Sequence, residues 1–210
     1  MSKIVTFANV KGGSGKSTLC VNIAAMLVKL NRSVCVIDSD PQQSTYDWII
    51  NTKDPLLSQV NCRDVSNLEA LSEIDDEFIL IDTQGNLNKE LADFLKISSL
   101  VLVPCRVSRD DIVGQGWVQM FLQKSQSEKK TTPIMAILNG VNKRSQILSH
   151  IKQQLNEDGT KVAQTTVSQR VCFSETNVNK MSVIRYNNAA EGEISDLTSE
   201  IINLLRNRGY

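Results

Sequence analysis

The sequence predicts an α/β fold: a single domain over residues 1–210, in which a doubly wound, mainly parallel sheet is flanked by helices. Three observations predict it. Five short apolar runs, residues 4–8, 34–37, 78–81, 100–103 and 134–138, are continuous rather than alternating, as strands covered on both faces require. Segments with helical apolar spacing lie between most of them. A glycine-rich stretch, "KGGSGKS" at residues 11–17, stands where the first run hands over to the first helical segment.

In chain order, the run at 4–8 predicts a first strand. Leu19, Ile23, Met26, Leu27 and Leu30 then predict a helix directly after the glycines. The run at 34–37 predicts a second strand that ends in "DSDPQQS". The run at 78–81 predicts a third strand, ending at Asp82. Leu91, Phe94, Leu95 and Ile97 give a helix, and residues 100–103 the next strand. Residues 112–122 read as a helix, and "KSQSEKKTT" at 124–132 as its solvated end and a loop. A strand over 134–138, a helix over 147–155 and a terminal helix carrying Ile194, Leu197, Ile201, Leu204 and Leu205 complete the order. No internal repeat, low-complexity tract or Pro/Gly-rich linker divides the chain.

Composition excludes several classes. Apolar residues make up 41% and charged residues 22% of the 210, a globular balance with length enough for a real core. The 23 basic and 23 acidic side chains cancel, so a nucleic-acid surface would have to be a local patch. Five cysteines, an odd number with no CxxC spacing, suggest reduced thiols and a cytoplasmic protein rather than a disulfide framework or metal site. No continuous apolar stretch is long enough for a signal peptide or a membrane span. His150, the sole histidine, is far in sequence from every motif and is assigned no chemistry.

The glycine loop carries the first chemistry. Amides that open a helix have no intrahelical partner and hold partial positive charge. Gly12, Gly13 and Gly15, with Ser14 between them and Thr18 following, let those amides close round a phosphate. Lys16 would set its ammonium on the outer phosphates, and the Ser17 hydroxyl would ligate Mg²⁺. Two carboxylate segments complete the site. Strand ends in a doubly wound sheet share one crevice, so Asp38 and Asp40 would face the glycine loop. Asp40 also suits a turn before a helix capped at Ser44. Asp82, ending an apolar strand, would bind Mg²⁺ through water opposite Ser17.

The loop departs from GxxxxGK[ST]: Val10 stands where the first glycine belongs, and Lys11 follows it. In this it resembles the deviant Walker A motif of the ParA/MinD group of P-loop ATPases. The resemblance implies that Lys11 crosses a dimer interface to phosphates held by the partner, as an arginine finger does. The D-x-D-P-Q pattern at residues 38–42 also matches. It implies that Asp40 positions the attacking water, while Asp38 helps organise the water shell of the metal. In "DTQG", Gln84 replaces the family's frequent proline. Family members place adenine-contacting residues after the strand that here runs over 134–138. Asn139 is the candidate, and a turn-forming Asn-Gly explains it equally well.

The resemblance covers nearly the whole chain and is nearest to short, ParF-like plasmid-partition ATPases without an N-terminal helix-turn-helix domain. It implies a weak, Mg²⁺-dependent ATP hydrolase with ATP and Mg²⁺ as cofactors, stimulated by a centromere-binding, ParB-like adaptor. It further implies an ATP-dependent homodimer, with polymers in some members, and non-specific, nucleoid-associated DNA binding. Arg170 and Arg185 lead a basic set that also holds Lys143, Arg144, Lys152, Lys161 and Lys180. Four rivals remain. A MinD-like membrane ATPase needs a basic amphipathic tail, whereas Glu191, Glu193, Asp196 and Glu200 occupy the polar face of the last helix. An ATP-dependent small-molecule ligase needs its own substrate pocket. A nitrogenase-like electron donor needs cluster cysteines, and only Cys105 follows a strand. A pure ATP-binding scaffold would have no use for Asp40.

Overall fold

Among the described residues, eight strands form one sheet in the order β3-β2-β4-β1-β5-β6-β7, with β8 pairing β6. The structure is a computed structural model describing residues 2–64, 68–86, 88–107, 116, 118, 120–121, 132–145, 147–157 and 159–210. The strands are β1 Lys3–Phe7, β2 Val34–Asp38, β3 Asn61–Asp64, β4 Phe78–Asp82, β5 Leu100–Cys105, β6 Ile134–Val141, β7 Lys161–Val162 and β8 Val167–Ser168. The helices are α1 Lys16–Lys29, α2 Ser44–Ile50, α3 Lys89–Ile97, α4 Ile147–Glu157, α5 Val171–Val178 and α6 Asn188–Arg206. Every described strand pair is parallel.

The continuous apolar runs are explained by a core on each face. Val5 and Phe7 of β1, Val36 of β2 and Leu80 of β4 pack with α1, α2 and α6. Their neighbours along the same strands turn the other way: Ile37, Ile79 and Ile81 meet Phe94 of α3, while Val101, Val103, Ala136 and Leu138 meet α3 and α4. Helix α1 is buried almost all round, from Leu19 to Val28. The apolar stripe of α6 lies in the same core, with Ile194, Leu197, Ile201 and Leu205 each at 0–1% exposure. Burying each such side chain contributes about 1.5–3 kcal/mol, so this stripe is engaged in the fold.

The expected strands, and the helices expected within the described residues, appear at their places, with β6 running three residues further than its apolar core. Strands β3, β7 and β8 and helix α5 are additions. The first three are too short or too polar to show as apolar runs. The helix expected over 112–122 and the polar stretch 124–132 fall almost wholly outside the described residues. Two expectations are corrected. Glu193, expected on the polar face of the last helix, is 6% exposed and faces inward. Cys105 does not follow β5; it is the strand's last residue and fully buried.

This topology positions the site. β1 lies between β4 and β5, and the chain crosses past it, so a crevice opens at the carboxyl ends there. Register holds those ends level: Phe7 pairs Asp82, and Asp82 pairs Asp38. The loop after β1 and the carboxylates ending β2 and β4 therefore meet.

Candidate functional site: a phosphate-binding crevice

The glycine loop is shaped by two left-handed residues. Gly13 has φ +73° and Gly15 φ +98°, a region in which a side chain is strained. At Gly15 a Cβ would also lie 2.1 Å from Asn139 Nδ2, so glycine is required twice over. Gly12 has neither constraint; a Cβ there meets nothing within 4 Å. Gly15 caps α1 with no side-chain bond, and the first helical bond runs from the Leu19 amide to the Gly15 carbonyl at 3.0 Å. The amides before Leu19 are thus left for an anion.

Asn9 and Asn139 hold the loop from either end. Buried Asn9 donates through Nδ2 to the Pro104 carbonyl, 2.6 Å, and accepts the Lys11 amide at Oδ1, 3.0 Å. Asn139 Nδ2 donates to the Ser14 carbonyl, 2.8 Å. The Asn-Gly pair is therefore no hairpin turn. It lies within β6, where the register against β8 shifts and Gly140 takes φ +65°.

Lys16 is 8% exposed. Burial lowers its pKa, while Asp82 and then Asp40 pull it back up, so both carboxylates lie within electrostatic reach of the ammonium. Asp82 is 1% exposed, and burial raises its pKa to about 6 against the opposing pull of Ser17, Thr45 and Lys16. Thr45 donates its hydroxyl to Asp82 Oδ2 at 2.7 Å. Oδ1 of the same carboxylate is buried with no hydrogen-bond partner. A hydroxyl at Ser17 facing a carboxylate with a spare oxygen is a hard-oxygen donor set that fits Mg²⁺. No group of three or more His, Cys, Asp or Glu able to hold a metal exists among the described residues.

Asp38 has a different immediate task. Its Oδ1 accepts the Asp40 amide at 3.0 Å, and Oδ2 accepts the amides of Thr45 and Tyr46 at 2.8 and 2.9 Å. These last two open α2. Ser44 is not the cap of that helix: Gln43 is, at φ +50° and without a side-chain bond. Asp38 supplies what the cap does not. Burial still raises its pKa, against the three amides that lower it. Asp40 serves its own turn, with Oδ1 accepting the Gln42 amide at 2.9 Å, and remains half-buried near Lys16.

Two cavities adjoin the loop. One, of about 670 Å³, is lined by Gly15, Thr18, Arg106, Asn139, Arg170 and Phe173 among others. The second, of about 420 Å³, has Lys11, Arg106, Gly140 and Gln169 in its wall. Lys11 thus fronts the second cavity and is not in the wall of the first. Arg170 lines the first cavity and pairs with Glu193 at 3.0 Å. Arg185 is exposed at φ +65°, its amide donating to Glu191 Oε2 at 2.7 Å.

The sequence matches the CobQ/CobB/MinD/ParA nucleotide binding domain over residues 5–183. The chain belongs to this family. The match runs from β1 through the region after α5, and so takes in the loop, both carboxylate segments and the cavity wall. Similar proteins include maintenance of carboxysome distribution protein A of Halothiobacillus neapolitanus, 27% identical over 209 residues and covering 93% of this chain and 94% of that one. A plasmid partition protein from Borrelia burgdorferi, solved bound to AMPPNP, superposes with a TM-score of 0.75 at 18% identity, over 97% of this chain and 99% of that one. The septum site-determining protein MinD of Pyrococcus horikoshii, complexed with Mg-ADP, gives 0.75 at 16% identity over 97% of each. These two structures share the fold of this ParA/MinD-type domain.

Sequence reasoning missed Asn9, Thr45, Arg106 and Glu193. Asn9, Thr45 and Glu193 act through contacts between segments distant in sequence, and Arg106 stands in the wall of both cavities. Asn9 alone had a local signal, a polar residue directly after an apolar strand.

Proposed function

We propose that the chain is a ParA-type partition ATPase that binds ATP with Mg²⁺, dimerises on it, and is reset by hydrolysis. The observation carrying this reading is the convergence of Lys16, Asp82 and Asp40 beside a glycine loop with open amides. Lys16 and the loop amides hold the β- and γ-phosphates. Ser17 and Asp82 hold the Mg²⁺, which screens phosphate charge when bound, and Asp38 fixes the turn that carries Asp40. Asp40 orients a water whose oxygen bonds to the γ-phosphorus. The bond from that phosphorus to the β–γ bridging oxygen breaks, its electron pair leaves on ADP, and the water proton passes by way of Asp40 to solvent. Lys11 completes the site of a second subunit, which makes hydrolysis depend on dimerisation. Its place in the wall of the second cavity, and not of the one that starts at Gly15 and Thr18, supports that role.

The dimer is read as a non-specific DNA binder that an adaptor releases, in a nucleoid-associated cycle that segregates plasmid DNA. Of the seven basic residues considered, Lys143 and Arg170 pair with Glu193 and Lys180 with Asp47, and Lys152 bonds the Gln164 carbonyl. Arg185, Arg144 and Lys161 are the better candidates for phosphate contact. The carboxysome relative supports a second reading, in which the cargo is a protein assembly and the ATPase cycle is the same. A MinD-like membrane role is disfavoured because the stripe of α6 is buried in the core. The test is ATP-dependent retention on plasmid DNA, with and without an adaptor, in wild type and Lys11→Ala. Retention indifferent to nucleotide would end the proposal.

A further inference from the structure

Among the described residues, three buried side-chain polar atoms have no hydrogen-bond partner: Ser14 Oγ, Asp82 Oδ1 and Arg170 Nε. The first two belong to the phosphate loop and the metal position. The third belongs to Arg170, a residue in the wall of the 670 Å³ cavity. A buried donor without a partner costs about 1–3 kcal/mol, so native chains keep few of them.

What surrounds Arg170 is a built cluster. Glu193, on α6, accepts Arg170 Nη2 at 3.0 Å, Lys143 Nζ at 2.8 Å, and the Ser168 hydroxyl and amide at 2.7 and 2.9 Å. Burial raises the Glu193 pKa, but these four donors outweigh it and bring it down to about 2, so the carboxylate is ionised at any working pH. One buried anion then faces two cations, and the cluster keeps a net positive charge beside the cavity. A guanidinium has only donors to offer, and two of its three nitrogens are not used by Glu193.

We propose that Arg170 is a nucleotide-binding residue that holds the nucleoside half of the ligand, with Glu193 as its positioning residue, rather than a DNA contact. This rests on the nucleotide reading given above. The cavity starts at Gly15 and Thr18, where the phosphate loop ends. What enters from the phosphates is sugar and base, both rich in acceptor oxygens and ring nitrogens. Asn139 and Phe173 provide an amide and an aromatic edge on the same wall. A DNA phosphate would instead have to compete with a buried carboxylate for a side chain that is 32% exposed.

The experiment measures binding of Mg-ATP, Mg-ADP and inorganic tripolyphosphate to wild type, Arg170→Ala, Arg170→Lys and Glu193→Gln, by displacement of a fluorescent ATP analogue. DNA retention is followed against salt in parallel. The expected result is a tenfold or greater loss for ATP and ADP alike in Arg170→Ala, with tripolyphosphate unchanged. Arg170→Lys keeps part of the affinity, Glu193→Gln moves in the same sense as Arg170→Ala, and the slope of DNA retention against salt stays constant. Nucleotide affinity equal to wild type in Arg170→Ala overturns the proposal. So does an equal loss for tripolyphosphate, or a DNA slope that falls by about one, the loss of one phosphate contact. A wild-type chain that binds no ATP overturns the underlying reading too, and the two failures are thereby distinct. If Arg170→Ala does not fold, the Arg170→Lys and Glu193→Gln comparisons decide alone.

Discussion

Removing the charge of Asp82 should stabilise the unliganded protein at neutral pH while abolishing its response to Mg-ATP. Burial holds the Asp82 pKa at about 6, against a free value of 3.8. A group whose pKa is raised on folding favours the folded state while protonated, and that contribution is lost as pH rises through the folded value. Below about pH 3 the carboxyl is neutral in folded and unfolded chains alike and carries no penalty. Above about pH 6 the folded chain holds a buried carboxylate with a spare oxygen. The gap between about 6 and 3.8, at about 1.4 kcal/mol per pH unit, is about 3 kcal/mol. Asp82→Asn keeps an oxygen for the Thr45 hydroxyl and has no charge to bury. It should therefore melt with wild type near pH 3 and above it at pH 7.5. At about 2–4 °C per kcal/mol for a chain of this size, the difference is about 6–12 °C.

The assay is a thermal melt in EDTA across pH 3 to 8 for both chains, repeated at pH 7.5 with Mg-ATP. A ligand at 100 times its Kd adds about 2.7 kcal/mol to whichever protein binds it. Wild type should gain that increment and draw level, while Asp82→Asn gains little. Asp38 is also shifted upward by burial, but it is present in both chains and largely cancels in the comparison. A variant that melts at or below wild type at pH 7.5 without ligand, or a gap independent of pH, would refute the reasoning.

Other outcomes follow from the same geometry. Lys11→Ala should bind ATP yet stay monomeric in sedimentation, with turnover down by about 10³-fold or more, the scale of a cation supplied in trans. Asp40→Ala should lose about 10²- to 10⁴-fold in kcat while still dimerising on ATP, which a coupled phosphate-release assay beside sedimentation would reveal. Gly15→Ala combines φ +98° with a Cβ lying 2.1 Å from Asn139 Nδ2; it should abolish nucleotide binding in calorimetry and cost about 1–3 kcal/mol of stability. Leu197→Ala should destabilise by about 2–5 kcal/mol in a urea titration without altering liposome sedimentation, because that side chain is core.

The part of this molecule legible in its sequence is the part written in contiguous residues. "KGGSGKS" carries its own geometry, because glycine, lysine and a hydroxyl at fixed offsets are what a phosphate cradle needs. The apolar runs read as strands because burial on both faces removes alternation, as Ile37 and Val36 demonstrate by packing into opposite cores. Short strands such as β7 and β8 left no trace, since two residues cannot establish a period. Roles that depend on distant partners were misread or missed. Glu193 falls on the polar side of a helical wheel, and only the docking of α6 against Ser168 and Arg170 turns it inward. The resemblance places Asp38 at the water shell of the metal; its bonds to the turn that presents Asp40 depend on the fold and had no local signal.

The distribution of unsatisfied groups links these observations. Folding otherwise satisfies the buried side-chain polar atoms among the described residues, through caps at Asn88 and Asn187 and through the cluster on Asp54, which takes Leu56, Ser182 and the Ser182 hydroxyl. The three exceptions all border one crevice, at Ser14, Asp82 and Arg170. Scattered exceptions would signal loose packing; clustered ones mean that the unliganded site bears a polar cost that a ligand can remove. A ligand that relieves such a cost shifts the balance between open and closed states by the amount relieved. In the proposed cycle the buried carboxylate at Asp82, unfavourable alone above pH 6 and favourable opposite a divalent cation, would be part of what lets a nucleotide drive a change of state.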